Sequence, residues 1–254
     1  MNILFTVCCR AGSKSIKNKN LKLFLGTPLS YYTLASIKLY KQEYGAQNYF
    51  TTCLNTDSEE LISQVLEYDS DIQIVHRDEA LAGDTVPKVV VIKDCLQKTE
   101  AATGIIYDIV VDLDVTSPLR RVKDIHAAIC KKQKRDDIDI VFSVTSPRRN
   151  PYFNMVKTNS DDTVSRVIES DYSTRQQAPV LFDMNASIYV YGVDFLHKSV
   201  VNSLFDGRCN FIEMVDTAVL DIDKEEDFKL MEILAEHFYK TDSKFGEIAQ
   251  EAKR

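Results

Sequence analysis

The first candidate for chemistry is a cationic segment, residues 9–20, which directly follows a short apolar run at residues 3–7. The segment has no acidic residue and four basic ones: Arg10, Lys14, Lys17 and Lys19. A cationic loop after a buried strand is typical of polyphosphate binding, because backbone N–H groups and basic side chains can face the same anion. The segment is neither a Walker A motif nor a dinucleotide fingerprint, since Gly12 is its only glycine. A solvated basic loop remains the alternative interpretation.

Two pairs of aspartates also stand at predicted strand ends, Asp112 with Asp114 and Asp221 with Asp223. Residues two apart on a strand point to the same face, so each pair can serve one site. Mg²⁺ binds through one or two carboxylates together with phosphate oxygens, and Asp221 with Asp223 fits that pattern. The alternative for Asp223 is that it caps the helix predicted to begin at Lys224.

The composition excludes several classes of function. The chain has 254 residues, 44% of them hydrophobic, and a formal net charge of −7, which argues against a general nucleic-acid-binding protein. No apolar run reaches the ~18 residues of a membrane span, and residues 1–7 lack the charged start of a signal peptide. The six cysteines show no CxxC spacing and the four histidines are isolated, so we expect free thiols, a cytoplasmic location and no zinc site.

The elements that must position these residues alternate along the chain. Strands are predicted at five apolar runs: residues 3–7, 49–54, 72–75, 109–113 and 138–144. Helices are predicted between them, with Thr27-Pro28 and Asp84-Thr85 as two of the N-terminal caps and with the basic run 131–135 as the solvated end of a helix. This alternation predicts an α/β fold with a largely parallel sheet, in which ligands bind beyond the carboxyl ends of the strands.

The pattern changes at about residues 145–183, where three prolines and two short alternating runs, at 152–157 and 163–168, predict a hairpin-like arm outside the main sheet. Strands are expected to return at 187–191 and 218–220, followed by an amphipathic helix at 224–239. We therefore predict one domain, residues 1–239, with an inserted arm. The polar tail at 240–254 is expected to fray.

Five segments, in order along the chain, resemble motifs of the acylneuraminate (CMP-sialic acid) cytidylyltransferase family. In the cationic segment the matching residues are Arg10, Gly12, Ser13, Lys14, Lys19 and Asn20. In the second segment they are Arg77, Leu81, Ala82, Asp84 and Thr85. The third segment matches over residues 116–120, the fourth over 175–179 and 185–189, and the fifth is Asp221-Ile222-Asp223.

The resemblance implies a Rossmann-like nucleotidyltransferase fold with a mainly parallel central sheet and an inserted dimerisation arm, and hence a homodimer. It also implies the reaction: CTP and a nine-carbon keto-sugar acid give the CMP-sugar and pyrophosphate, with Mg²⁺ as cofactor. Neither nucleic acid nor a membrane is an expected partner.

The resemblance further implies roles for individual residues. The catalytic residues are Arg10, Lys19 and Asp223, and the metal ligands are Asp221 and Asp223. The nucleotide is bound by Arg10, Gly12, Ser13, Lys14, Lys19, Asn20 and Arg77. The sugar acid is bound by Asp114, Thr116, Ser117, Arg175, Gln176, Asn185 and Tyr189, and Tyr189 is equally well interpreted as a core aromatic residue.

The sequence departs from the family pattern at three places. Cys9, Ala11 and Ser15 make the cationic segment less glycine-rich, and Val86-Pro87-Lys88 replaces small or hydroxylated residues. Asp114 stands where many members have a glutamine that contacts the sugar, and this exchange fits legionaminic- or pseudaminic-type acids. Three alternatives stay open: a CMP-Kdo synthetase, a nucleotide-sugar glycosyltransferase, and a non-catalytic nucleotide-binding domain.

Overall fold

The protein is a three-layer α/β sandwich built on a seven-stranded sheet. The computed structural model describes residues 1–12, 16–217 and 221–254, with only the backbone at Arg175. Ser13, Lys14 and the predicted strand at 218–220 therefore lie outside the described residues. Its strands are β1 (Asn2–Cys8), β2 (Leu23–Phe24), β3 (Thr27–Pro28), β4 (Tyr49–Thr56), β5 (Gln73–His76), β6 (Ile109–Leu113), β7 (Ile140–Thr145), β8 (Val156–Thr158), β9 (Val164–Arg166), β10 (Asp183–Gly192) and β11 (Cys209–Glu213). Its helices are α1 (Leu29–Tyr44), α2 (Glu59–Tyr68), α3 (Lys88–Thr103), α4 (Val122–Gln133), α5 (Val193–His197), α6 (Glu225–Thr241) and α7 (Ser243–Glu251).

The main sheet has the strand order β11-β7-β10-β6-β1-β4-β5. Strand β10 runs antiparallel to both of its neighbours, β6 and β7, whereas the other pairs are parallel. This confirms the mainly parallel sheet predicted from the sequence. The parallel strands β5, β4, β1 and β6 end at one edge of the sheet, so the segments that follow them meet there.

Successive residues of the central strand β1 supply the two hydrophobic layers. Ile3, Phe5 and Val7 pack with α1, α2, α4, α6 and α7, whereas Leu4 packs with α3 and α5 on the opposite face. Side chains alternate across a strand, and a parallel strand covered on both faces is apolar at nearly every position. The run at residues 3–7 is accordingly apolar except for Thr6, whose hydroxyl donates to the buried Asp112 carboxylate over 2.7 Å.

The arm is a hairpin, as its alternating runs predicted. Strands β8 and β9 pair antiparallel with each other and with no strand of the main sheet. Two elements between residues 190 and 215 were not predicted from the sequence: the short helix α5 and the strand β11, which adds to the outer edge of β7.

Two helices begin later than predicted. Helix α1 begins at Leu29, because Pro28 has an extended ψ of 131° and pairs with Leu23 in a small hairpin. Helix α3 begins at Lys88 after Pro87, with ψ of 133°, rather than at Val86. In both cases the proline lies just before the helix, and the preceding Thr27 and Asp84-Thr85 are not N-caps.

The prediction of a fraying tail is wrong. Residues 243–251 form helix α7, whose Phe245, Ile248 and Ala249 are buried against the α1 side of the core. Glu251 is buried as well and forms ion pairs with Lys38 of α1 and with Arg254. Helix α7 is thus an integral part of the outer layer.

All six cysteines are free thiols, as predicted. No helix in the described ranges combines the length and the apolar character needed to cross a bilayer.

Candidate active site

A polar cavity of about 320 Å³ opens beyond the carboxyl ends of β1, β5 and β6. It lies where the parallel sheet predicts a ligand site. Its walls come from four separate parts of the chain: Cys8, Cys9, Arg10, Lys19 and Asn20; Arg77, Leu81, Gly83, Asp84, Val86, Lys88 and Val91; Asp114 and Thr116; and Asp221 and Asp223.

The cationic segment forms one wall of this cavity. Arg10 pairs with Asp84, which follows β5, and the Asn20 side chain donates to the Arg10 carbonyl over 3.1 Å. Gly12 has a φ of +68°, a conformation that costs glycine little and other residues more. Arg10, Lys19 and Asn20 line the cavity, so the segment faces a ligand site rather than bulk solvent alone.

Lys19 connects this wall to the aspartate pair 203 residues further along the chain. Its Nζ donates to the Ile222 carbonyl over 2.6 Å and lies 3.8 Å from an Asp223 carboxylate oxygen. The Lys19 side chain is largely buried, with 13% of its area exposed. The structure thus places a fixed ammonium group beside the two acids that the sequence assigned to a metal.

Asp221 and Asp223 form a carboxylate pair whose charge Lys19 offsets only in part. Burial, then the charges of Asp223 and Asp114, raise the pKa of Asp221 to about 6. In the described residues, no group of three or more His, Cys, Asp or Glu side chains is arranged to hold a metal ion. Mg²⁺ does not need such a group, since it takes one or two carboxylates and completes its shell with water and substrate phosphates.

The capping interpretation of Asp223 is wrong. The backbone N–H groups of Asp223 and Lys224 donate to the Asp227 carboxylate over 3.2 and 2.8 Å, so Asp227 serves the start of α6. The Asp223 side chain is 70% exposed and points into the cavity wall beside Lys19.

Arg77 lies at the end of β5 and is held by the neighbouring strand β4. Its Nε donates to the Asn55 side-chain oxygen over 2.6 Å, and one Nη donates to the Asn55 carbonyl over 3.3 Å. Asn55 is fully buried, so the guanidinium has a fixed position on the cavity wall.

Asp112 and Asp114 meet at one site, as their spacing predicted, because Lys88 lies between them. Its Nζ is 2.7 Å from a carboxylate oxygen of each aspartate. Burial alone would raise the pKa of Asp114, but Lys88 and hydrogen bonds from Thr116 lower it to about 2. Burial alone would lower the pKa of Lys88, but the two aspartates raise it well above its ordinary value.

The turn after β6 is organised by the buried Arg120. One Nη donates to the carbonyls of Asp114 and Ser117, the latter over 2.6 Å. These bonds fold the segment back so that Asp114 and Thr116 face the cavity while Ser117 is buried behind it.

Of the other predicted sugar-binding residues whose side chains the structure describes, Gln176, Asn185 and Tyr189 do not line this cavity. Gln176 is exposed in a short 3₁₀ helix of the arm, Arg175–Gln177. Asn185 is buried, where its side-chain oxygen accepts from the Ser143 hydroxyl over 2.6 Å. Tyr189 is mostly buried on β10, with the Lys88 ammonium 5.3 Å from its ring centre.

The sequence does not single out two residues of the site, Lys88 and Asn55, and it does not show that Asp84 is the partner of Arg10. Asp84 is a motif match and a candidate helix cap, and Lys88 is visible only as a departure from the family motif. The signal for Lys88 is a lysine directly after the proline at a predicted helix start, where the family has other residues.

Comparisons with known proteins identify the family. The model of the family described as "Cytidylyltransferase" matches residues 4–243. The chain is 33% identical over 235 residues to "Post-translational flagellin modification protein B" of Campylobacter coli. It is equally similar to the "CMP-N,N'-diacetyllegionaminic acid synthase" of Campylobacter jejuni. Both alignments cover 91% of this chain and 94% of the relative. An "N-acylneuraminate cytidylyltransferase" of Streptococcus agalactiae is 25% identical, and there the alignment covers 90% of this chain and 52% of the relative.

Solved structures share the fold. A CMP:2-keto-3-deoxy-manno-octonic acid synthetase complexed with CTP superposes with a TM-score of 0.65 at 13% identity, covering 93% of this chain and 99% of the other. The match to the family model extends over nearly the whole chain, including every segment that lines the cavity. This chain belongs to the cytidylyltransferase family.

Proposed function

We propose that this chain transfers the cytidylyl group of CTP to a nonulosonic acid, a nine-carbon keto-sugar acid related to sialic acid. The products are the CMP-sugar and pyrophosphate. The relatives named for legionaminic acid, pseudaminic acid and N-acylneuraminate support this substrate class. Among them the legionaminate synthase has the higher identity, so an acid of the legionaminate type is the proposed substrate.

One observation supports the proposal most directly: Lys19 lies against the Asp221–Asp223 segment in the cavity. A nucleotidyl transfer needs cations on the triphosphate and carboxylates for the accompanying divalent ion at the same place. The two requirements are met by residues 203 positions apart in the chain, which only the fold brings together.

In the proposed reaction the anomeric hydroxyl of the sugar acid attacks the α-phosphorus of CTP. The new bond joins the anomeric oxygen to the α-phosphorus, the bond from that phosphorus to the β-phosphate oxygen breaks, and the hydroxyl proton is released. Arg10 and Lys19 stabilise the negative charge that accumulates as pyrophosphate leaves. Arg77, fixed by Asn55, orients the cytosine. Positioning and charge stabilisation supply most of the rate enhancement.

Asp221 and Asp223 are the proposed Mg²⁺ ligands. Burial first, and then the charges of Asp223 and Asp114, raise the pKa of Asp221, and a divalent ion would favour its ionised form. When bound, Mg²⁺ polarises the phosphate oxygens. The chain's own contribution is to hold the two carboxylates beside Lys19.

The arm is proposed to form a homodimer. Hairpin β8–β9 and its flanks expose Val156 and Val164, with 62% and 64% of their areas accessible, together with Phe153, Met155 and Ile168. Several exposed apolar side chains on one hairpin favour association with a second protein surface. Dimerisation would also bring Arg175 and Gln176 of the arm towards the partner's cavity, where Arg175 would bind the carboxylate of the acid.

The experiment that tests the function is pyrophosphate release from CTP and Mg²⁺ with a panel of acids: N,N'-diacetyllegionaminate, pseudaminate, N-acetylneuraminate and Kdo. We expect release with a nonulosonic acid, and most rapidly with the legionaminate. Faster release with the eight-carbon acid Kdo would instead identify a CMP-Kdo synthetase.

A purified chain that binds CTP but releases no pyrophosphate with any of the four acids would contradict the proposed reaction. Sedimentation in the same buffer tests the dimer separately: a monomer at micromolar concentration would contradict the role of the arm without affecting the reaction.

A further inference from the structure

Lys88 is a charged residue of the cavity wall that the proposed reaction does not use. It is the first residue of α3, and its ammonium contacts Asp112 and Asp114 over 2.7 Å each. The ring of Tyr189 lies on another side of it, 5.3 Å from ring centre to Nζ. One side chain therefore connects a helix start, the central strand β6 and strand β10.

Asp112 anchors this arrangement from inside the protein. It is fully buried, and one carboxylate oxygen accepts from the Thr6 hydroxyl over 2.7 Å while the other faces Lys88. A buried carboxylate requires a counter-charge, so Lys88 is held in place by Asp112 irrespective of any ligand.

Asp114 is held in turn by Lys88 and Thr116. One of its oxygens accepts from the Thr116 backbone N–H and hydroxyl over 3.0 and 2.8 Å, and the other accepts from Lys88. An ionised carboxylate has about four acceptor sites. Three protein donors therefore leave acceptor capacity on a group that lines the cavity.

The strand order places this cluster beyond the nucleotide end of the cavity. Arg77 follows β5 and Arg10 follows β1, whereas Asp114 follows β6 and Tyr189 lies on β10, the next strand outwards. Lys88 and Tyr189 also line a second cavity of about 210 Å³ on this side. If the nucleotide occupies the β5–β1 side, the second substrate meets the β6–β10 side.

We propose that Lys88 is a positioning residue for the sugar acid: it fixes the Asp114 carboxylate as a hydrogen-bond acceptor, and Asp114 selects an acid that presents an N–H or O–H donor there. This inference rests on the proposed function. A carboxylate can only accept, and its charge repels the carboxylate of the acid, so the acid must approach with a neutral donor group. A glutamine at this position would accept and donate, and would not impose that orientation.

The test is a double-mutant cycle with Lys88→Met and Asp114→Asn, measured as kcat and KM in pyrophosphate release with N,N'-diacetyllegionaminate as the varied substrate. Each single substitution should raise KM for the acid about tenfold or more, because each removes or misdirects a charged hydrogen-bond partner. The double variant should be no worse than Asp114→Asn alone, since Lys88 acts through Asp114. KM for CTP should change less than about twofold in all three.

Lys98→Met is the matched control. Lys98 lies on the same helix, has nearly the same exposure (35% against 34% of the side chain) and also contacts two carboxylates, of Asp78 and Asp94, over 3.0 and 2.9 Å. It does not line the cavity, so its substitution should leave KM for the acid unchanged.

Lys88→Met leaves Asp112 buried without a counter-charge and can unfold the protein. The double variant Lys88→Met, Asp112→Asn has no unpaired buried carboxylate at residue 112, and Asp114 still lacks its contact with the lysine. It should regain thermal stability but keep the raised KM for the acid. If KM for the acid returns to the wild-type value together with stability, Lys88 is only a structural ion-pair partner and the inference is wrong.

Two other outcomes would also overturn the inference. The first is that Lys88→Met raises KM for the acid by the same factor in the wild-type and the Asp114→Asn background. The second is that Lys88→Met raises KM for CTP and KM for the acid equally. These outcomes can be distinguished from a failure of the proposed function. If the proposed function is wrong, the wild-type protein itself releases no pyrophosphate with any acid, and the inference is then wrong as well.

Discussion

The two ends of the cavity use charge in different ways. At the β5–β1 end, Arg77 is fixed by the neutral Asn55 and Lys19 by the backbone carbonyl of Ile222. At the β6–β10 end, Lys88 lies between Asp112 and Asp114 at equal distances of 2.7 Å. Arg77 is thus held by neutral groups and Lys19 lies 3.8 Å from an Asp223 oxygen, whereas Lys88 is in closer contact with two carboxylates.

This difference separates binding from positioning. A cation held by neutral groups retains its attraction for a polyphosphate, which suits the nucleotide end. A cation that already pairs with two carboxylates, whose combined charge exceeds its own, offers little to an incoming anion, and its main effect is to fix those carboxylates. Arg10 stands between the two types, because it pairs with Asp84 in the cavity wall and must exchange that contact for a phosphate.

The largest effect is expected at the carboxylate pair. Asp223→Asn should lower kcat for pyrophosphate release by roughly 1000-fold, because it removes one of two charges that hold the divalent ion at the reacting phosphates. Titration with Mg²⁺ checks the cause: the half-saturating concentration should rise as well. Asp71→Asn, an exposed aspartate before β5, is the control and should behave as wild type. Full activity of Asp223→Asn at the usual Mg²⁺ concentration would remove this residue from the metal site.

Lys19→Met should lower kcat about 100-fold, since a cation that meets charge developing on the leaving pyrophosphate contributes mainly in the transition state. Lys22→Met is the matched control. Lys22 is three residues further along, pairs with Glu225 over 2.7 Å and does not line the cavity. The measurement is kcat of both variants in steady-state pyrophosphate release. Equal losses of kcat would mean that residues 9–22 act through their folded structure and not through the ammonium of Lys19.

Arg77→Met should raise KM for CTP about tenfold while leaving KM for the sugar acid nearly constant, because the side chain lies at the nucleotide end. Lys88→Met is expected to do the reverse, raising KM for the acid and not KM for CTP, if the two ends of the cavity bind different substrates. Arg135→Met, an exposed arginine paired with Asp137, serves as control. An equal rise of both KM values in Arg77→Met would show that the two ends are not separate sites.

Much of this organisation could be predicted from the sequence. The largely apolar run at 3–7 and the alternation of strands and helices are enough for a parallel sheet, and the resemblance to family motifs is enough to select Arg10, Lys19 and Asp223, which line the cavity. These features are local, since each depends on a few neighbouring residues and on the rule that parallel strands end at one edge.

The features that could not be predicted depend on contacts between distant residues or on weak local signals. Lys88 and Asp112 are 24 positions apart in the chain, and nothing near either residue shows that they are partners. Pro28 and Pro87 were placed inside the first helical turn, but their extended ψ angles put them just before it. In α7 the apolar Phe245, Ile248 and Ala249 have helical spacing, yet the surrounding charges hid the short amphipathic pattern.

The smallest effect concerns stability at low pH and separates the β6–β10 cluster from an ordinary surface pair. The folded-state pKa of Asp114 is about 2, below the ~3.9 of an unfolded aspartate. Its ionised form therefore stabilises the fold above pH ~4, by about 3 kcal/mol at most, and this contribution is lost as the pH falls from ~4 through about 2. Asp114→Asn should flatten the pH dependence of the unfolding free energy in that window, measured by urea denaturation.

Asp137 provides the comparison, because its hydrogen bond with Arg135 lowers its pKa to about 2 as well, but at the exposed surface. Salt at ~1 M should abolish the change that Asp137→Asn makes in the pH dependence of the unfolding free energy. The change made by Asp114→Asn should remain, since buried charges are screened much less. Equal sensitivity to salt would mean that the Lys88–Asp114 contact is as open to solvent as a surface ion pair, and that it cannot fix a carboxylate for a ligand.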